Sequence, residues 1–326
     1  MTTIDKPESA PDPAVVAVDI GGTTVKGAVA VHGGSVLHRA TAPTFGVDGD
    51  PLEAVSALIV QLAAAAESTG HRFAGIGIAS PGLVDSVRGH VTFATNLGWS
   101  DLPLVDILTE RFGVPVALEH DARAAARAER AARIAASRNG DDFVFVPIGT
   151  GVSAAIVTGG VVISGASGGA GELGHVPVIP GGELCTCGQR GCIEVYASAS
   201  AILRRYRAAG GTVVGGTRDV AAALGRDDVA DRIWNDAIQA LAIGITGLAA
   251  VLDPAAIVIG GGLGESGERL LAPLRARVEE QLVWRTPPRI EQSLVGSGAG
   301  LAGAALLLDP ASLQQPSLPT LSKELP

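Results

Sequence analysis

The apolar positions of this chain fall in short unbroken runs that stop at glycine or at a single carboxylate. Residues 14–19, AVVAVD, are apolar at successive positions up to Asp19, the pattern of a buried strand. The turn Gly21-Gly22-Thr23-Thr24 interrupts the run and VKGAVAV resumes it, which predicts a hairpin with an oxygen-rich tip. Leu52, Val55, Leu58, Ile59 and Leu62 recur at helical spacing and predict a helix over Pro51 to Ser68; the strand AGIGIAS follows and runs into Pro81-Gly82.

Further along, VPVALEHDARAAARAERAARIAAS predicts a strand from Val114 to Leu118 that gives way to an Ala- and Arg-rich helix, with Asp121 at the junction. Two more strands, DFVFVPIG and VSAAIV, flank Gly149-Thr150-Gly151 and repeat the device of the N-terminus. After a glycine-rich stretch and a cysteine cluster the chain reads as helical, then AAIVIGGGLGESGERLLAPLRARVEEQL supplies a strand, a glycine loop and a long helix. Strands and helices mix throughout, so the predicted fold class is α/β with two similar halves and no short solenoid repeat. Met1 to Pro13 and the proline-bearing tail from Asp309 are expected to be unstructured, leaving an ordered body of about 14–308.

Composition narrows the picture. The 326 residues suffice for two ordinary domains or one large one. Hydrophobic residues reach 47% but aromatics only 3%, so the core must be built from Ala, Val, Leu and Ile. The 44 glycines point to tight turns and close backbone approach, because only glycine reaches positive φ without steric cost. A net charge of -9 argues against a nucleic-acid surface. The apolar run Leu241 to Leu252 stops at Asp253-Pro254, short of the roughly 18 to 20 residues of a membrane span. The first residues, MTTIDKPESAPDP, carry neither a basic nor an apolar leader region, so a cytoplasmic location is expected.

Several constellations could carry chemistry. In Asp19-Ile20-Gly21-Gly22-Thr23-Thr24, glycine N–H groups can face an anion, the threonines add hydroxyls, and the carboxylate can hold hydrated Mg²⁺; a plain hairpin turn would need the same glycines. Gly149-Thr150-Gly151 offers the same chemistry, and a pair of such turns can grip a polyphosphate from both sides. The run from Gly260 to Gly267 contains GLGESG, the dinucleotide pattern of dehydrogenases, but such a loop normally opens a domain after its first strand, and here only about 60 residues remain, too few for the rest of the sheet. The same loop, or a plain strand-to-helix turn, could bring backbone close to an adenine or ribose. His175 with Cys185, Cys187 and Cys192 supplies an imidazole and three thiolates, the set that a structural Zn²⁺ prefers, and with all four positions filled no place is left for a reacting water. Glu172 and Glu194 flank that set and offer acceptors to a polyhydroxylated ligand. Asp121 can cap its helix or, beside a phosphate, act as a base.

VAVDIGGTTVKG, ASPGLVD, TNLGW, EHDARAAARAE, IGTGVSAAIV, GELGHVPV, CTCGQRGCIE and IVIGGGLGESGERLLAPL, in this order, resemble the bacterial ROK family of repressors and sugar kinases, above all its glucokinase-like members. The resemblance covers about 15–308. It implies a two-domain actin-like (ribonuclease H-like) ATPase fold: a small domain over 14–120, a large one over 121–300 with the zinc loop and nucleotide site, and 301–308 returning to the small domain. It also implies ATP with Mg²⁺ as donor, a small-molecule sugar as acceptor, a structural zinc, and a homodimer or homotetramer. By resemblance Asp121 is the catalytic base, and Glu172, His175 and Glu194 bind sugar hydroxyls, with Asn96, His120 and the Gly82 turn in the same pocket. Asp19, Gly21, Gly22, Thr23, Thr24, Gly149, Thr150 and Gly151 hold phosphates and Mg²⁺, while Gly261 and Gly262 face the nucleoside. His175 serves twice on this reading, one ring nitrogen on zinc and the other on the sugar.

Two positions depart from the family pattern. His120 stands where an Asn commonly precedes the base, which bears on the identity of the sugar, and the second phosphate turn continues with Ser153-Ala154-Ala155 in place of glycines. An ATP-dependent hexose kinase is the leading expectation, glucose first, with fructose, mannose or an N-acetylhexosamine behind it. A sugar-responsive repressor is disfavoured because the stretch ahead of Asp19 is too short for a helix-turn-helix. A sugar sensor without catalysis is disfavoured because Asp121 and both turns are present.

Overall fold

The computed structural model describes residues 11–32, 35–308 and 310; the expectations for Met1–Ala10 and for most of the tail lie outside the described residues. The described residues form two compact units, one of those up to Glu119 together with those from Ala304 onward, and the other His120–Gly303.

In the first unit, β1 (Pro13–Ile20), β2 (Thr24–Val31) and β3 (Val36–Pro43) form an antiparallel meander. Helix α1 (Pro51–Ser68) starts at Asp50, whose carboxylate accepts the Leu52 N–H at 2.8 Å, with Pro51 at the first helical position. Its Leu58, Ile59 and Leu62 pack on the sheet, and Gly27 of β2 makes room: a Cβ there would lie 2.3 Å from Leu62 Cδ1. The strand β4 (Arg72–Ser80) returns parallel to β1. A small sheet of β5 (Leu83–Asp85), β6 (His90–Ala94) and β7 (Trp99–Leu102) follows, then α2 (Leu104–Phe112), which Gly113 ends in the left-handed conformation, and β8 (Val116–His120). The main sheet has the order β3-β2-β1-β4-β8.

The second unit repeats this plan. Helix α3 (Asp121–Ala135) leads to β9 (Phe143–Pro147), β10 (Ala155–Thr158) and β11 (Val161–Val162), again an antiparallel meander. Helices α4 (Glu194–Ala197), α5 (Ala199–Ala208), α6 (Thr217–Ala223) and α7 (Asp228–Leu252) precede β12 (Ala256–Gly260), which pairs parallel with β9. The single turn α8 (Gly261–Gly264) and α9 (Glu268–Gln281) lead to β13 (Arg289–Gln292), and α10 (Ala299–Ala305) follows. The sheet order, β11-β10-β9-β12-β13, matches that of the first unit strand for strand. Alternation explains why β9 and β12 read as unbroken apolar runs: Val144, Val146, Ile257 and Ile259 face one core, Phe143, Phe145 and Val258 the other.

Four expectations are corrected in detail. The strand expected from Val114 runs over Val116–His120, so His120 closes a strand and Asp121 opens a helix. The strand expected from Val152 begins at Ala155, because Ala154 donates its N–H to Gly171 O at 2.7 Å and leaves the ladder. The glycine loop after β12 contains the helical turn Gly261–Gly264. The apolar run Leu241–Leu252 is the second half of a 25-residue helix that is long and apolar enough to cross a membrane by length and composition. Its Ile233, Trp234, Ile238, Leu241 and Ile245 are buried in the core of the second unit, and Trp234 Nε1 donates to Arg269 O at 3.1 Å.

Candidate active site

The first Gly/Thr turn closes the β1–β2 hairpin through the Gly21 N–H to Thr24 O at 3.1 Å. Thr44, fully buried, holds it from the end of β3: its Oγ1 donates to Gly21 O at 2.6 Å and its N–H to Thr23 O at 3.1 Å. Asp19 lies at the strand end with Lys26 Nζ 3.9 Å from its Oδ2. A Cβ on Gly22 would come within 3.3 Å of Asn96 Nδ2, so the turn and this expected sugar residue are neighbours in one unit. Gly82 (φ +94°) is required by its own backbone, since a Cβ would lie 2.2 Å from Phe93 O.

In the second unit Asp121 is the first residue of α3, where the positive end of the helix dipole favours a carboxylate, and its Oδ1 accepts the Ala122 N–H. His120 is buried beside it, with Nε2 at 3.3 Å from Asp121 Oδ1 and 3.9 Å from Glu172 Oε1. The carboxylate of Asp121, the imidazole of His120 and the carboxylate of Glu172 thus form a contiguous polar group.

The second Gly/Thr turn is clamped from outside itself. Val152 donates its N–H to Glu194 Oε2 at 3.0 Å, and a Cβ on Gly151 would lie 2.6 Å from that oxygen. The start of α5 grips the turn's carbonyls: Ala199 N–H to Gly149 O at 2.8 Å and Ser200 Oγ to Thr150 O at 2.6 Å. Gly261 (φ +70°) packs against Ile148, whose backbone a Cβ would meet at 2.5 Å, whereas Gly262 opens on free space. The late glycine run is therefore used to seat α8 against the end of β9.

His175 follows Glu172 through a single 3-10 turn, Leu173–His175. Its Nδ1 is 3.7 Å from Cys185 Sγ, Cys187 Sγ is 3.7 Å from Cys192 Sγ, and the four ligand atoms all lie within 4.8 Å of one another. An ion with Zn–S bonds of about 2.3 Å has tetrahedral edges of about 3.8 Å, so the donor set fits zinc in both type and spacing. Gly191 (φ +79°) allows the loop to fold back, as a Cβ would lie 1.8 Å from Ile179 O. Burial pushes the Cys192 thiol up to about 12, and the thiols of Cys187 and Cys185 add to the shift. Cys187 lies below the ordinary thiol value; burial opposes this, and hydrogen bonds with the Gln189 backbone and the other two thiols outweigh it. The loop ends by pairing Cys192 with Pro177, two residues before Glu194.

Asp19, Gly21, Gly22, Thr23, Thr24, Gly82 and Asn96 thus belong to the first unit, and the remaining expected site residues to the second. Thr44, Ala199 and Ser200 were missed from sequence, because each acts through a contact distant along the chain. A serine-led helix start at Ser198, whose hydroxyl accepts the Ala201 N–H, is the one signal that could have pointed to α5. A cavity of about 750 Å³ lined by Arg138, Arg275, Arg289, Glu268 and Glu291 contains none of the expected site residues.

Two α/β units of like strand order, each with a Gly/Thr hairpin between its first two strands, define the class as the actin-like ATPase fold. The chain belongs to the ROK family, whose model matches residues 15–310. It is 33% identical over 313 residues to a glucokinase of Thermotoga maritima, covering 90% of this chain and 96% of the relative. An N-acetylmannosamine kinase of Yersinia pseudotuberculosis is 30% identical over 299 residues, 89% of this chain and 97% of the relative. The crystal structure of a ROK family glucokinase from Streptomyces griseus in complex with glucose and AMPPNP superposes with a TM-score of 0.78 at 33% identity, covering 90% of this chain and 98% of that one.

Proposed function

We propose that the protein is an ATP-dependent sugar kinase that phosphorylates a hexose hydroxyl, glucose to glucose 6-phosphate first among the candidates, with Asp121 as general base. The observation that carries this reading is the Val152 N–H to Glu194 hydrogen bond of 3.0 Å, which joins a carboxylate suited to sugar hydroxyls to a turn suited to phosphate. The likeness to glucokinases over nine-tenths of the chain supports it.

On this reading Gly82, Asn96, His120, Glu172, His175 and Glu194 take the sugar. The two Gly/Thr turns take the phosphates, Asp19 takes the hydrated Mg²⁺ that neutralises their charge, and Gly261 and Gly262 flank the nucleoside. His175, Cys185, Cys187 and Cys192 hold one structural zinc. With Nδ1 turned to the cysteines, His175 keeps Nε2 for the sugar. Phosphoryl transfer runs through a loose transition state, so alignment and charge neutralisation supply most of the acceleration. Asp121 takes the hydroxyl proton as the new bond forms, a contribution of about 10² to 10⁴. We take the enzyme to work in the cytoplasm as a homodimer or homotetramer.

A second acceptor class has its own support. The likeness to an N-acetylmannosamine kinase and the imidazole of His120 beside the base favour another hexose or an N-acetylhexosamine. The test is ADP release from Mg-ATP against glucose, fructose, mannose, allose, N-acetylglucosamine and N-acetylmannosamine, with a blank lacking sugar. Stimulation by glucose supports the first reading, stimulation by another sugar alone supports the second, and a flat panel overturns both.

A further inference from the structure

His120 closes β8 and Asp121 opens α3, and the two side chains converge instead of diverging. The imidazole is buried, its side chain 6% exposed, and its Nε2 stands 3.3 Å from Asp121 Oδ1 and 3.9 Å from Glu172 Oε1. An ionised carboxylate only accepts hydrogen bonds, so a nitrogen set between two of them carries its hydrogen toward them. The Ala122 N–H also points at Asp121 Oδ1. The Ala122 N–H and the His120 Nε2 thus both lie closest to one oxygen of Asp121, Oδ1. The two carboxylate oxygens, equivalent in water, are made unequal.

From this we infer that His120 is a positioning residue. Its Nε2–H fixes the Asp121 carboxylate through Oδ1, leaves Oδ2 as the atom that takes the substrate proton, and ties the base to Glu172. The inference rests on the sugar-kinase reading and deepens it. In the step, the sugar hydroxyl oxygen bonds to the γ-phosphorus of ATP and the bond from that phosphorus to the β–γ bridging oxygen breaks. The electron pair leaves with ADP, and the hydroxyl proton passes to Asp121 Oδ2. The 3.3 Å approach is that of a resting site, since hydrogen bonds around a catalytic base commonly tighten only when substrate is bound. A residue that touched only the sugar would govern affinity, whereas one that orients the base governs turnover at saturating sugar.

The test compares His120→Ala, His120→Asn and His120→Gln with the wild type in steady-state kinetics, using the sugar that the panel identifies. A glutamine amide nitrogen reaches about as far as imidazole Nε2, while that of asparagine stops near the position of Nδ1. The expected result is a loss in kcat of about tenfold or more for the Ala and Asn variants, larger than the accompanying rise in sugar KM, and a return of kcat to within about threefold of wild type for Gln. Unchanged kcat in His120→Ala, a loss confined to KM, or a Gln variant no better than Asn overturns the inference and leaves the kinase reading standing. If His120→Ala does not fold, the Gln and Asn pair decides it. A wild type that releases no ADP with any sugar defeats the kinase reading and this inference together.

Discussion

Glu194 Oε2 accepts the Val152 backbone N–H at 3.0 Å, so the carboxylate that follows the cysteine loop also holds the second Gly/Thr turn. Gly151 has no room for a side chain there, because a Cβ would press to 2.6 Å on the same oxygen. Cys192 pairs with Pro177, the next residue Ile193 donates its N–H to Val176 O at 3.1 Å, and Glu194 then begins α4. Cysteine loop, Glu194 carboxylate and second Gly/Thr turn are thus consecutive links of one hydrogen-bonded path inside a single unit. On the sugar-kinase reading, a group placed this way affects the nucleotide as well as the sugar.

Replacing Glu194 by Ala leaves the half-buried Val152 N–H without its acceptor, a loss of about 1 to 3 kcal/mol, or about 5- to 150-fold in an equilibrium constant. The expected outcome is a rise in KM for ATP alongside the rise in KM for the sugar. Glu194→Gln keeps an acceptor oxygen for Val152 and should spare ATP more than sugar. Two-substrate steady-state kinetics reads both constants; an ATP KM unmoved in Glu194→Ala would show that the clamp has no part in nucleotide binding.

Asp121→Asn keeps the size of the side chain at the start of α3 and removes its ability to take a proton. Turnover should fall by about 10² to 10⁴ while sugar binding, followed by equilibrium titration, survives within a few-fold. Near-normal kcat in this variant would strip Asp121 of the role of base.

Much of this arrangement could be read in the sequence because it is local. The hairpin around Gly21-Gly22-Thr23-Thr24, the junction at Asp121 and the cysteine loop are each written in a few adjacent residues whose backbone conformation leaves little choice. The small sheet was not legible: LVD, HVTFA and WSDL are three to five residues each and mix polar with apolar positions, so neither period stands out. The strand RIEQ escaped for the same reason; only its Ile290 is buried. The clamps on the two turns were hidden differently, since Thr44 reaches back 23 residues to Gly21, Glu194 reaches 42 to Val152 and Ser200 reaches 50 to Thr150. Those pairings follow from the packing of α4 and α5 and from the end of β3, which no local pattern encodes.

The Cys185, Cys187, Cys192 and His175 set predicts about one zinc per chain in protein purified without added metal, measured by elemental analysis. Stripping the metal with a chelator should lower the thermal midpoint, because binding to the folded loop alone is stabilising. Cys192→Ser, at a fully buried position, should lose zinc and lower activity through Glu194, with re-addition of zinc failing to restore it. A metal content near zero in active wild-type protein removes zinc from the fold.

Asp227 caps α7, its Oδ1 accepting the N–H groups of Val229 at 2.9 Å and Ala230 at 3.2 Å, while its Oδ2 accepts the hydroxyl of the buried Tyr206 at 2.5 Å. The Tyr206 hydroxyl above all, and then the two N–H groups, hold its carboxyl below the ordinary 3.8 despite an opposing effect of burial. A folded-state value below the unfolded one means that ionised Asp227 stabilises the protein above the unfolded value, and that this contribution disappears as pH falls through the folded value. Asp227→Asn retains a capping oxygen and loses the charge, so it should be less stable than wild type at neutral pH, with the gap narrowing once the pH drops below 3.8. Urea midpoints for both proteins at about pH 7 and about pH 3 measure the difference. A gap that is the same at both pH values would mean that the loss comes from the cap geometry alone and not from the charge that Tyr206 stabilises.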